Sequence, residues 1–168
     1  MGSRVFVIAN NTFVIAAPTL AGQTSYGSQH TFANDASADS VFENNLMVTA
    51  TADDRYASID QHSGITVDYN LYSGLGVFAV GGVTKTFSEW GAATSFDAHS
   101  INADAMLVGA AEFNQTKAQK AVYDGSKAKP LTGSPATGAG TNLSATFSTD
   151  FTGATRASGA YEIGAVGH

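Results

Sequence analysis

The densest group of ionisable side chains in the 168-residue chain is Asp53, Asp54, Arg55, Tyr56, Asp60 and His62. Arg55 offers a planar donor fork suited to a carboxylate, and Asp53 or His62 is the kind of group that passes a proton. The simpler interpretation is a solvated turn in which Asp53 and Asp54 face water and Arg55 pairs locally, and it is preferred. Asp53, Asp54, Arg55, Tyr56 and His62 are therefore kept as candidate binding residues, and no catalytic residue is assigned. Asp97 and His99, in the stretch DAHS at 97–100, look like half of a catalytic arrangement, but such a pair acts only with a nucleophile beside it. His30 and His168 have no recognisable partners.

A metal loop is suggested by Asp35, Ser37 and Asp39, which alternate as calcium ligands do. Ser40 occupies the sixth position, where a glycine is needed, and Leu46 the twelfth, where a bidentate glutamate is needed, so the stretch is read as a hydrated loop with no metal ligands. Three Asn-x-Ser/Thr sequons begin at Asn10, Asn114 and Asn142. Tyr26, Tyr56, Tyr72 and Trp90 are the aromatic side chains considered as stacking platforms for sugar rings.

The elements that position these residues follow from composition and pattern. Apolar residues make up 43% of the chain and charged ones 13%, so a core is available while the surface relies on neutral polar groups. One domain spanning 1–168 is expected. A formal net charge of −6 argues against a nucleic-acid partner, because no basic face can displace counterions from phosphates. Lys117, Lys120, Lys127 and Lys129 form a basic cluster that reads as a solvated face. The absence of cysteine excludes disulfide and thiolate chemistry. Arg4 and the apolar runs after it loosely resemble a signal peptide, but Asn10, Asn11 and Thr12 interrupt them, and no run has the length of a membrane span.

The first half reads as short strands separated by Gly, Ser, Asn and Asp. Thr86 and Glu89 form a capping box ahead of Trp90, which predicts a short helix, and a second helix is predicted over about 112–123. Three segments align with one asparagine in register: VIANNTFVIA at 7–16, VFENNLMVTA at 41–50 and ITVDYNLYSG at 65–74. Asn11, Asn45 and Asn70 then mark repeats of a solenoid, each at a corner between two strands, with the left-handed backbone that asparagine tolerates and a side-chain amide bonded to the next repeat.

The run DYNLYSG at 68–74, then FSEWGAATSFDAHSINADAMLV at 87–108, GSPATGAG at 133–140 and DFTGATRASGAYEIGA at 150–165 resembles the C-terminal part of right-handed parallel β-helix proteins of the pectin-lyase-like superfamily. Ala105 departs from the proline usual after the aspartate matching Asp104, Glu162 from an aspartate, and Val166-Gly167 from an aromatic-acid pair. The resemblance implies an all-β fold: a short right-handed parallel β-helix of about three coils over 1–84, with a C-terminal capping region over 85–168 containing one or two short helices. It implies structural roles for Asn11, Asn45, Asn70, Trp90, Asp97, His99, Asp150 and Arg156, and packing roles for Tyr72 and Trp90, leaving Tyr26 and Tyr56 open.

The superfamily includes polysaccharide lyases, glycoside hydrolases, tail-spikes and adhesins, with catalytic residues on coils upstream of the portion matched here. The expectation is therefore a non-catalytic β-helix module with a structural or glycan-binding role, a polysaccharide as partner and an extracellular or cell-surface setting. The alternative is a small polysaccharide lyase or glycoside hydrolase. No cofactor is expected, although calcium stays a candidate because several glycan-processing relatives use it. Strand-like residues begin at Val5 with no covering segment, so the expectation is either a fragment of a longer protein or an end covered by a second copy, and a homo-oligomer, most simply a two-fold dimer, is predicted through the N-terminal coil.

Overall fold

The computed structural model describes residues 6–15, 28–32, 39–60, 64–110, 125–159 and 161–167. The segment of the second expected helix, most of the proposed calcium loop, Tyr26 and His62 lie outside them. The described residues are rich in strand and poor in helix, and their strands join into three sheets with almost entirely parallel pairing.

Each circuit of the chain adds one strand to each sheet. Strands β1 (Val7–Ala9), β4 (Val41–Glu43) and β7 (Thr66–Asp68) form the first; β2 (Thr12–Ile15), β5 (Leu46–Thr49), β8 (Leu71–Gly74) and β11 (Ile101–Asn102) form the second. The third contains β3 (Ser28–Phe32), β6 (Arg55–Ile59), β9 (Val77–Val80) and an antiparallel edge, β10 (Val83–Lys85). The register is regular: Val7, Val41 and Thr66 stand side by side, as do Thr12, Leu46, Leu71 and Ile101. The alignment of the three Asn-centred segments is thus the alignment of strands in space.

Strand alternation sorts the side chains. Phe42, Val67, Met47, Tyr72, Tyr56, Ile59 and Phe78 meet in one buried cluster between the sheets. A register shift between Arg55 and Ala57 against β9 lets Tyr56 and Ala57 both enter it. The rings of Tyr56, Tyr72 and Phe78 lie 4.8–5.3 Å apart in tilted and edge-on pairs, and Trp90 stacks on Phe78 at 5.2 Å. Trp90 is delivered by helix α1 (Phe87–Thr94), whose Thr86–Glu89 capping box forms as the sequence predicts.

The second sheet is buried on both faces. Leu46 and Leu71, which point away from the main cluster, pack with Ala105, Leu107, Ala136 and Ile163. The C-terminal residues expected to cover the end of the stack therefore lie along the outside of this sheet, and α1 is what closes over the aromatic core. Backbone bonds fasten this strap: Gly164 N–H donates to Asn44 O at 2.8 Å and Ile163 N–H to Ala136 O at 2.9 Å.

At the corners the assignment of conformation shifts by one residue. The left-handed positions are Asn10, Asn44 and Tyr69 (φ 55°, 55° and 54°), and not the aligned Asn11, Asn45 and Asn70 that follow them. Those three point inward and form a column. Asn11 donates from both its backbone N–H and Nδ2 to Asn45 Oδ1, at 3.0 and 3.1 Å. Asn45 does the same to Asn70 Oδ1, at 2.9 and 3.3 Å. Asn70 Nδ2 passes on to Asp97 Oδ1 at 3.2 Å, and Asn70 N–H to Ser100 Oγ at 2.7 Å.

Replacing Asn70 by leucine keeps the volume but leaves the buried Asn45 N–H, the Phe42 carbonyl and the Asp97 carboxylate each short of a partner. At about 1–3 kcal/mol per orphaned group, Asn70→Leu is expected to cost about 3 kcal/mol or more. Urea unfolding is the check, and an unchanged midpoint would exclude the column as a source of stability.

Candidate functional site

In the group with the highest density of ionisable residues, the described members take different environments. Asp53 is exposed, whereas Asp54 is fully buried in the turn before β6, where its Oδ2 accepts from Thr51 Oγ1 at 2.9 Å. Arg55 is half-buried, and Tyr56 is fully buried in the core. Tyr56, left open in the sequence as a sugar platform, is therefore a packing residue, and burial pushes its hydroxyl above the ordinary tyrosine range.

Asp97 and His99 also part company. The turn after α1 points Asp97 inward, where it is 6% exposed and receives Trp90 Nε1 at 2.7 Å, Tyr72 Oη at 3.0 Å, Ser100 Oγ at 2.5 Å and the Asn column. Burial raises the Asp97 carboxyl above its usual range, against the pull of these donors. Burial and the Asp97 charge likewise push the Tyr72 hydroxyl well up.

His99 faces outward and pairs with a different aspartate. Its Nδ1 lies 2.7 Å from Asp68 Oδ2, and its backbone N–H donates to Asp68 Oδ1 at 2.7 Å. The imidazole lies flat on the Tyr69 ring, with centroids 4.8 Å apart and planes 9° from parallel. Asp68 also accepts the Tyr69 N–H at 2.8 Å. Tyr69 itself sits at φ 54°, a conformation that costs a bulky side chain about 1–2 kcal/mol relative to the ordinary regions. Its equivalents in the two preceding circuits are asparagines, which adopt it readily.

Beside Asp68, directly across the β4–β7 pair, stands Glu43. Parallel neighbours are about 4.8 Å apart, so two acidic side chains share one outward column with Ala9. The Glu43 carboxyl is half-buried, makes no hydrogen bond or ion pair among the described residues, and is raised above its ordinary range by burial and then by the Asp68 charge. Glu43, Asp68, Tyr69 and His99 thus form a lateral face with an acidic centre and an aromatic flank. The sequence contained the signal for Glu43 and Asp68, since each stands two residues before a column asparagine in the aligned segments.

Near the C-terminus, Asp150 and Arg156 hold turns. The Asp150 carboxylate accepts from the Thr152 hydroxyl and from the N–H groups of Gly167, Ala154 and Thr152, and these bonds together outweigh burial and hold it below the usual range. Arg156 donates to the carbonyls of Glu162 and Gly164 and lies near the Tyr161 ring. A groove of about 490 Å³ runs along β5 and β8, lined by Thr49, Ser73, Leu75 and Met106 among others, and the charged side chain among its described lining residues is Asp104. Among the described residues no group of three or more His, Cys, Asp or Glu side chains is placed to hold a metal ion, and no helix is long and apolar enough to cross a membrane.

No family model, curated protein or solved structure matches the chain.

Because the folded state raises the Glu43 carboxyl, its contribution to stability is fully present below the unfolded value of 4.5 and is lost as pH rises through the raised value. Glu43→Gln imitates the protonated form. The variant is expected to match the parent's thermal midpoint near pH 3.5 and to exceed it at pH 7; a difference independent of pH would exclude the electrostatic cause.

Proposed function

We propose that the chain is a right-handed parallel β-helix module related to the pectin-lyase-like superfamily, and that it contacts a glycan along one lateral face without cleaving it. The observation that carries this reading is Tyr69. An aromatic side chain is held at a left-handed corner where the other circuits use asparagine, it is flattened against His99, and it remains partly open to solvent beside two carboxylates. Strain of this kind concentrates where a side chain is needed for contact. Sugar rings offer an apolar face to an aromatic ring and hydroxyls to flanking carboxylates, which fits the Tyr69–His99 flank and the Glu43–Asp68 column.

The Glu43–Asp68 pair favours a second reading, a glycoside hydrolase in which the raised carboxyl acts as general acid and the other carboxylate as its partner. Release of reducing ends from a polysaccharide, abolished in Glu43→Gln, would select it over the non-catalytic module.

Self-association is also proposed, through the side where, among the described residues, β1, β2 and β3 are edge strands and Phe6 and Val7 are 51% and 53% exposed. The direct test of the glycan reading is Tyr69→Asn. Asparagine suits the backbone, so the thermal midpoint should hold or rise, while retention on an immobilised panel of oligosaccharides should fall at least about tenfold. Unchanged retention on a glycan that the parent binds would remove Tyr69 from the contact surface.

A further inference from the structure

The bonds between successive circuits specify what the side formed by β1, β2 and β3 can meet. At each corner junction the earlier asparagine donates its N–H and Nδ2 to the later Oδ1, and the later Nδ2 donates back to the carbonyl three residues before the earlier asparagine. Asn45 Nδ2 thus reaches Ile8 O at 2.9 Å, and Asn70 Nδ2 reaches Phe42 O at 3.1 Å. The N–H that follows each asparagine also reaches back: Leu46 to Asn11 O, Leu71 to Asn45 O and Ile101 to Asn70 O, at 2.8–2.9 Å.

At Asn11 the same groups stand at the edge. Among the described residues no donor reaches Asn11 Oδ1, and Asn11 Nδ2 bonds to Ala9 O of its own circuit and to Asn45 Oδ1 of the later one, with no carbonyl of an earlier circuit. Thr12, the equivalent of Leu46 and Leu71, belongs to the edge strand β2. Beside them a cavity of about 230 Å³ is lined by Asn11, Thr12, Phe13, Phe151 and Val166, and Phe151 is largely exposed.

This side therefore offers, at its corner, the groups that the second circuit offers to the first and the third to the second. Its complement is chemically defined: an extended segment that runs parallel to β1 and β2, turns at an asparagine, and follows it with an apolar residue for the cavity, as Leu46 and Leu71 follow theirs. A second copy meeting the side across a two-fold axis runs its edge strands antiparallel to β1 and β2 and does not reproduce the junction.

We infer that the corner at Asn11 is a binding site for a strand–asparagine–strand segment of another polypeptide, which adds a further circuit in register. Asn11 Oδ1 takes the segment's corner N–H and amide, and Asn11 Nδ2 takes the carbonyl three residues earlier in the segment. The inference rests on the stacking of the three sheets and not on the glycan reading. It also ranks the occupants of the side proposed above for self-association, because a segment with the matching corner displaces a second copy.

The test uses the full chain and the fluorescein-labelled peptide VFENNLMVTA, the sequence of residues 41–50. Saturable binding is expected by fluorescence anisotropy. Asn45→Asp in the peptide removes the amide donor and brings a carboxylate to Asn11 Oδ1, and it is expected to weaken binding at least about tenfold. Asn11→Leu in the chain should weaken binding of the parent peptide to a similar degree, and the same residues in reversed order should not bind. Equal binding of the parent, aspartate and reversed peptides would overturn the inference, and that comparison leaves the chain itself unaltered. Sedimentation with and without peptide separates the inference from self-association. A dimer that the peptide converts to monomer, or a monomer that binds the peptide, supports it. A dimer that neither binds the peptide nor dissociates would overturn it and leave self-association in place, and a monomer that does not bind would overturn both.

Discussion

The Asp97 carboxylate is the point on which the rest of the structure depends. A column of asparagine amides runs through the corners between the first and second sheets, and it has a direction. The backbone N–H groups of Asn11 and Asn45 each point at the next side-chain oxygen, which fixes every amide with its nitrogen facing onward. A one-way chain of donors must end on an acceptor that needs no proton of its own. Asp97 supplies that end, and it also collects Trp90 Nε1 and Tyr72 Oη from the aromatic core. The polar column and the hydrophobic cluster are thus tied at one buried group. In a low-dielectric surround such a network is strong when every member is satisfied and costly when one is missing.

This arrangement explains how the outer surface acquires chemistry. With the column asparagines turned inward, the residue before each of them takes the left-handed corner and the residue before that faces out. Asn10 and Asn44 at the outer corner are held by the C-terminal strap: Asn10 Nδ2 donates to the Glu162 carbonyl, and Asn44 exchanges bonds of 2.8 Å with the backbone of Thr141. At Tyr69 the corner is held instead by Asp68 and His99, and the face stays open to solvent. The strap also buries the far side of the second sheet, while the first sheet presents Glu43 and Asp68 on its outer side.

Several of these features are legible in the order of the amino acids alone. The register of Asn11, Asn45 and Asn70, the capping box at Thr86 and Glu89, and the strand character of 41–50 and 65–74 are local patterns, and each of them forms in the folded chain. The candidate site is legible only in part. Asp53, Asp54, Arg55 and Tyr56 are adjacent in sequence, but Asp53 lies in the exposed turn before β6 while Tyr56 enters the core beside Ala57 at the shift in the β6–β9 register. Glu43, Asp68 and His99 lie 25 and 31 residues apart along the chain, and parallel pairing plus the turn after α1 bring them together.

By itself, the sequence determined which residues repeat and which backbone each short segment prefers, because periodicity and capping act over a few residues. The tertiary structure decided which member of each Asn pair turns inward, which aspartate His99 meets and which face the C-terminal strap leaves open. Those outcomes depend on hydrogen bonds between circuits of the chain. Whether a buried amide or carboxylate is satisfied is settled only when its distant partners arrive.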